Sequence, residues 1–227
     1  RTLKEIAETL NECTDLDTLL ATVLQKLLQI TSLETGWIFL IDESGEYRLA
    51  ASESLPPALT DPVHQPMACG DCWCVDKFRN GELKKASNIM HCKRLENAVL
   101  NDWGDTYGLT YHATVPLASG DERFGVLNVA VTNKEKFETD DLANLESVAY
   151  QIGSALKRLK LAMKEQELKI TEERNRLARD LHDSVNQLLY SINVTSRAGM
   201  SLAGEEKTKE IFSDIQRISF GLKIFVG

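Results

Sequence analysis

The feature that most constrains the fold is a proline-free stretch from Thr139 to Met200, interrupted only by Gly153 and Gly199. Apolar side chains recur in it at three-four spacing: Leu142, Leu145, Ala149, Ile152, Leu156, Leu159, Met163 and Ile170 fall on one seam, with Gln166 the polar exception. A seam of this kind implies a partner helix, most simply the same helix of a second copy. At about 1.5 Å per residue the helix would run on the order of 90 Å, too long for one globular domain. The spacing therefore predicts a connector between two modules. The seam changes register near Leu177 to Val185, and register changes alter supercoiling locally. Either a rotation or slide from upstream passes through this point, or a two-helix coil joins a four-helix bundle there.

The same stretch contains Glu173-Arg174-Asn175-Arg176-Leu177-Ala178-Arg179-Asp180-Leu181-His182-Asp183-Ser184-Val185-Asn186-Gln187, which sets one histidine beside an acid and one turn before two carboxamides. Leu177, Leu181, Val185, Leu188 and Ile192 make the stripe of an amphipathic helix packed on partners, and His182 stands at its edge, within reach of solvent. Asp183 and Gln187 are four apart and share a face, as do His182 and Asn186. Imidazole attacks only through an unprotonated nitrogen, and a neighbouring carboxylate can take the proton or fix the tautomer. Asp183 is the candidate for that role. After a turn signalled by Gly199 to Gly204, the steps Ile211, Ile215, Ile218, Leu222 and Phe225 predict a second helix. Two such helices make an antiparallel hairpin, and two hairpins a four-helix bundle.

This box resembles the phosphoacceptor box of bacterial sensor histidine kinases, in the subclass that includes the nitrate- and oxygen-responsive kinases. The resemblance implies that His182 carries a phosphoryl group and that Asp183 is the base in autophosphorylation. It also implies that Asp183 and Gln187 dephosphorylate the partner, the glutamine orienting an attacking water. The implied partners are a response regulator with a receiver aspartate, of the DNA-binding class, and a second copy of the chain. Residues 173–227 would be the dimerisation and histidine phosphotransfer hairpin. No asparagine-rich metal-binding motif and no glycine-rich phosphate loop follows Gly204. ATP is thus expected to bind a domain outside this chain, and the enzyme is the full-length kinase.

The first 140 residues carry the input. Leu3 to Leu10 and Leu16 to Ile30 read as amphipathic helices, the second capped by Asp15 or Asp17. Gly36 to Asp42 reads as a buried strand with Tyr47 to Ser52 as its hairpin partner, and Ala113 to Ala118 pairs with Phe124 to Val131 across Ser119-Gly120-Asp121-Glu122. Helices flanking an antiparallel sheet give an α+β domain. With the Val115-Pro116-Leu117 segment and the Phe124-Gly125-Val126-Leu127-Asn128-Val129 strand, that order resembles a GAF domain over roughly residues 1–158, a PAS-like sheet being the alternative. Residues 159–172 would be a coiled-coil signalling helix.

Ligand chemistry points to the cysteines. Cys69, Cys72 and Cys74 lie within six residues, and Cys92 follows eighteen positions later; Cys13 stands apart. The chain is expected to be cytoplasmic, where thiols stay reduced and a disulfide framework is disfavoured. Four converging thiolates suit zinc or an iron–sulfur cluster, although the spacing matches neither a zinc ribbon nor a bacterial ferredoxin. The resembled subclass includes kinases with oxygen-labile clusters, which favours an iron–sulfur cluster on Cys69, Cys72, Cys74 and Cys92, with zinc or thiol redox switching as alternatives. His64 and His91 could replace one thiolate, and Trp73 or Trp103 could shield a cluster. A GAF module binding a small molecule without metal, a zinc-stabilised sensory dimerisation module and a purely structural dimer scaffold are the other readings. Net charge is -8 with acids and bases interleaved, which argues against a nucleic-acid surface. No stretch approaches the roughly 20 apolar residues that span a bilayer, and no signal peptide is present. The chain begins at Arg1 and not at methionine, so a fragment is expected, with room for a membrane segment upstream.

Overall fold

Asp15 stands where the sequence needs a helix start, and its carboxylate accepts a hydrogen bond from the Thr18 N–H at 2.9 Å. That bond satisfies one of the free amides of a first turn. The computed structural model describes residues 2–12, 15–68, 72–132 and 136–226. In chain order they form α1 (Thr2–Glu12), α2 (Leu16–Ile30), β1 (Thr35–Ile41), β2 (Tyr47–Glu53), α3 (Pro57–Thr60), α4 (Trp73–Arg79), β3 (Ser87–Ile89), α5 (Lys93–Leu100), β4 (His112–Ser119), β5 (Glu122–Ala130), α6 (Thr139–Leu202) and α7 (Glu206–Val226). The chain divides into two compact units, Arg1–Leu161 and Ala162–Gly227.

In the first unit the strands form one sheet in the order β2-β1-β5-β4-β3, every neighbouring pair antiparallel. Strand side chains alternate between the two faces of a sheet, and here both faces are covered. On one face Ile38, Ala113, Val115, Leu117, Leu127 and Val129 meet Leu20, Val23, Leu24 and Leu27 of α2 and Leu145, Ala149, Ile152 and Leu156 of α6. On the other, Trp37, Phe39 and Val126 meet Cys74, Val75 and Phe78 of α4, Leu95 of α5 and the connections around them. The expected strands and the first two helices are therefore present. The short elements between residues 57 and 100 leave no periodic trace in the sequence, because three to eight residues are too few to display a period.

The seam of α6 divides its work. Leu145, Ala149, Ile152 and Leu156 are buried against the unit's own sheet, with Leu142 and Leu159 packed beside them, whereas Met163 and Ile170 are exposed. The first half of the seam thus pairs with the sheet and not with a second helix, which corrects the coiled-coil expectation for that half: periodicity shows that a face is buried, not what buries it. At Gly153 the helix comes so near β4 that a Cβ would overlap the Ala118 carbonyl oxygen.

The second unit is a helical hairpin. Its turn is narrower than Gly199 to Gly204, since α6 runs to Leu202 and α7 starts at Glu206. Gly199 lies inside the helix, where any side chain would collide with the Phe212 ring. Ser219 Oγ donates to the Leu189 carbonyl at 3.0 Å, and Gln216 Nε2 to Asn193 Oδ1 at 3.1 Å. With Leu189, Ser196 and Ser219 buried, these contacts set which face of α6 meets α7. Among the described residues no helix is long and apolar enough to cross a membrane.

Replacing Gly153 by alanine is expected to lower the stability of the first unit by about 1–3 kcal/mol, the usual cost of overpacking a filled interface. Denaturant unfolding followed by tryptophan fluorescence reads this unit alone, because Trp37, Trp73 and Trp103 all lie within it.

Candidate functional site

His182 lies on α6 with its side chain 44% exposed, Asp183 and Gln187 being open to solvent beside it. The Asp183 carboxylate oxygen is 3.6 Å from His182 Nδ1, close enough for ion pairing and longer than a hydrogen bond. The Asn186 amide nitrogen lies 3.0 Å from Nδ1 and 3.2 Å from Nε2, so it can donate to whichever ring nitrogen carries no proton. An exposed imidazole with an acid and an amide around it has the parts of a nucleophile with a proton acceptor. Upstream, Arg176 bonds Glu173 through Nε at 2.9 Å and Nη2 at 2.7 Å and Asp180 through Nη1 at 3.0 Å. These exposed i,i+3 and i,i+4 pairs support the helix modestly.

The second cluster lies on the sheet face away from α2. Cys72 is the cap residue of α4, Cys74 sits in that helix's first turn and Cys92 is the cap residue of α5. All three thiols are free and buried, and they line one pocket with Arg94 and His112. Cys69 and Cys13 lie outside the described residues. His112 Nε2 is 3.5 Å from Cys74 Sγ, and its Nδ1 is 3.2 Å from the Ala113 carbonyl. Burial holds His112 down to about 4, so near neutral pH the ring is neutral and its Nδ1–H donates to that carbonyl.

Arg94 is buried in the same place. Its guanidinium donates to the Tyr47 hydroxyl at 2.8 Å and to the Pro66 carbonyl, and it lies over the Phe39 ring at 5.0 Å and the Tyr47 ring at 5.2 Å. A buried cation is costly without a counter-charge, and Cys72 supplies one. The hydrogen bond from Cys74, with help from Arg94, brings the Cys72 thiol down to about 5 against the opposing effect of burial. Cys74 moves the other way, raised by its hydrogen bond to Cys72 and by burial. Burial also raises Cys92. The pocket thus favours one thiolate and two thiols.

Three of the four cysteines proposed as ligands therefore meet. Their donor type suits zinc or a cluster, but their arrangement does not make a ready cage. Arg94 lines the pocket beside the three thiols, and no space large enough for a water molecule is left in it. Among the described residues no group of three or more His, Cys, Asp or Glu side chains is disposed to hold a metal ion. His64 stacks on Trp103 with ring centroids 4.8 Å apart and pairs with Asp61, while His91 pairs with Glu96 at 3.1 Å. Trp73 lines the pocket and is half exposed. Sequence reasoning missed Arg94 and His112. The available signal was polar alternation: His112 and Thr114 interleave with Ala113 and Val115 in a strand that had to be buried.

The comparisons with known proteins agree with this division. Residues 13–157 match the GAF domain family, and residues 173–220 match a histidine kinase family. The sensor histidine kinase YhcY of Bacillus subtilis (strain 168) is 50% identical over 219 residues, which cover 96% of this chain and 58% of that protein. Among solved structures, the GAF domain of a phosphoenolpyruvate-protein phosphotransferase from Coxiella burnetii superposes with a TM-score of 0.52 at 17% identity, covering 72% of this chain and 95% of that one. The equivalent domain from Acinetobacter gives 0.51 at 16% identity, with 70% and 93% covered. These two share the fold alone. The chain belongs to the GAF-domain family, with a histidine kinase segment following its GAF domain.

Proposed function

We propose that the chain is the sensory and phosphoacceptor part of a two-component sensor histidine kinase of the nitrate- and oxygen-responsive subclass. His182 takes the phosphoryl group, Asp183 accepts its proton, and Gln187 orients water when the response regulator is dephosphorylated. The observation that carries this reading is the half-exposed His182 with Asp183 3.6 Å away, inside the segment that matches the histidine kinase family. ATP would be bound by another part of the full-length protein.

The helical hairpin supports a homodimer. Because α7 covers the side of α6 marked by Leu189, most of the predicted stripe is left bare: Leu177, Leu181, Leu188 and Ile192 are exposed, and Val185 is half-buried. Burying each such side chain contributes about 1.5–3 kcal/mol, and a second hairpin with the same stripe completes a four-helix bundle.

The GAF unit supplies the input, and its sensory site is the pocket of Cys72, Cys74, Cys92, Arg94 and His112 in a metal-free state. Support comes from the buried guanidinium, which already neutralises the one thiolate the pocket favours. An iron–sulfur cluster or zinc on Cys69, Cys72, Cys74 and Cys92 is the competing reading, favoured by the meeting of three thiols.

In the full-length protein, His182→Gln should abolish phosphate incorporation from labelled ATP, and Asp183→Asn should slow it by about 100- to 10,000-fold. Gln187→Ala should spare autophosphorylation while slowing dephosphorylation of the regulator; an unlabelled wild type or a labelled His182→Gln protein would sink the assignment. Leu181→Glu with Leu188→Glu is expected to convert a dimer to a monomer in sedimentation equilibrium while the helical content of the hairpin remains. Anaerobically purified protein should carry no iron, sulfide or zinc, and metal in stoichiometric amount would hand the pocket to the competing reading.

A further inference from the structure

We infer that Asn186 is a further catalytic residue of the His182 reaction, its side-chain amide donating to an oxygen of the phosphoryl group as that group passes onto the imidazole. The inference rests on the reading of His182 as the phosphoacceptor and deepens it. Three features carry it. The Asn186 amide nitrogen stands within hydrogen-bond distance of both ring nitrogens, 3.0 Å from Nδ1 and 3.2 Å from Nε2. The Asp183 carboxylate is 3.6 Å from Nδ1, so the Nδ1 proton has an acceptor on that side and the attacking lone pair is left at Nε2. His182 and Asn186 are half-buried and continue, at steps of four and three, the face of α6 that carries Leu189, Asn193 and Ser196. Helix α7 meets that face through Ser219 at the Leu189 carbonyl and Gln216 at Asn193, so Asn186 lies between the imidazole and a packed contact.

The reaction is a phosphoryl transfer from ATP held by another part of the full-length protein. The Nε2 lone pair forms the N–P bond, the bond from the γ-phosphorus to the bridging oxygen breaks, and its electron pair leaves with ADP. The Nδ1 proton passes toward Asp183, and nothing is oxidised or reduced. Negative charge is spread over the three equatorial oxygens of the moving group, and donors already in place stabilise it. A phosphoryl group on Nε2 sets its oxygens where the lone pair had pointed, and an N–H of the Asn186 amide turns from the ring to meet one of them. The cations of the preceding turns are engaged elsewhere: Arg176 bonds Glu173 and Asp180, and Arg179 Nε donates to the Asn175 carbonyl at 3.2 Å. The neutral amide is therefore the donor that α6 presents to the ring. Gln187 is exposed on an adjoining face, so the two neighbouring carboxamides divide the work, one serving the histidine and the other the regulator.

The test uses the full-length protein and labelled ATP, with initial rates of His182 phosphorylation measured across ATP concentrations. Asn186→Ala is expected to lower kcat about 10- to 100-fold with KM for ATP unchanged, a smaller loss than that of a donor in a closed site because His182 is half exposed. Asn186→Ser, which keeps a hydroxyl donor, should recover part of the rate. Asn186→Asp keeps the shape but sets a carboxylate against the phosphoryl oxygens, and should be slower than the alanine variant. Helical content and sedimentation equilibrium are measured on each variant. An Asn186→Ala protein with wild-type kcat, an Asn186→Asp protein faster than it, or a rate loss that tracks a loss of dimer would overturn the role of Asn186 while leaving His182 as the phosphoacceptor. An unlabelled wild type would overturn both.

Discussion

The close approach of α6 to β4 is the constraint on which the first unit depends. A 64-residue helix cannot be held by its own hydrogen bonds in a fixed relation to a sheet; it needs a contact that allows one distance and one rotation. Gly153 supplies it, because only a residue without Cβ lets the helix reach the Ala118 backbone. Ile152, Ala155 and Leu156 are buried around that point, so the helix meets the sheet with close-packed rigidity. Flanking ion pairs from Lys157 and Lys160 to Glu122, at 3.4 and 3.5 Å, are half exposed and add orientation more than energy.

The other face of the sheet is governed by charge. A guanidinium buried among Phe39, Tyr47 and three cysteines would be costly if it were only hydrogen-bonded to neutral groups. The thiolate it favours at Cys72 offsets that cost, and the Cys74 proton is shared toward that thiolate. Cys92, by contrast, behaves as a small buried hydrophobe with its proton retained.

The sequence was most legible where one period ran long enough to be counted. Helix α2, strand β1 and the β4–β5 hairpin follow from their own residues, and Asp15 marks a helix start by its chemistry. Strand β3 and helices α4 and α5 are stabilised by what they lie against, so their residues alone carry little signal. The seam of α6 revealed a buried face but left open whether a sheet or a second helix covers it. Gly199 reads as a break by propensity, yet its lack of a side chain makes room for Phe212. The histidine box could be read because its residues are consecutive on one helix. The cysteine pocket could be read only in part, since Arg94 and His112 reach it from α5 and β4 and share no spacing with Cys72.

Strand β4 is where these two halves of the first unit become one problem. It is a single layer thick, and its alternate residues face opposite ways: His112 and Thr114 toward the thiols, Ala113, Val115 and Leu117 toward the helices. Its far end carries Ala118 against Gly153. A change in the Cys74 contacts therefore acts on a strand whose next residues have no free volume on the helix side, where Ala113 and Leu117 are fully buried. Packed interfaces respond to such a push by shifting between discrete arrangements and not by gradual yielding. For β4 the available response is a small displacement relative to α6, and a glycine contact with a backbone oxygen is the place least able to absorb it.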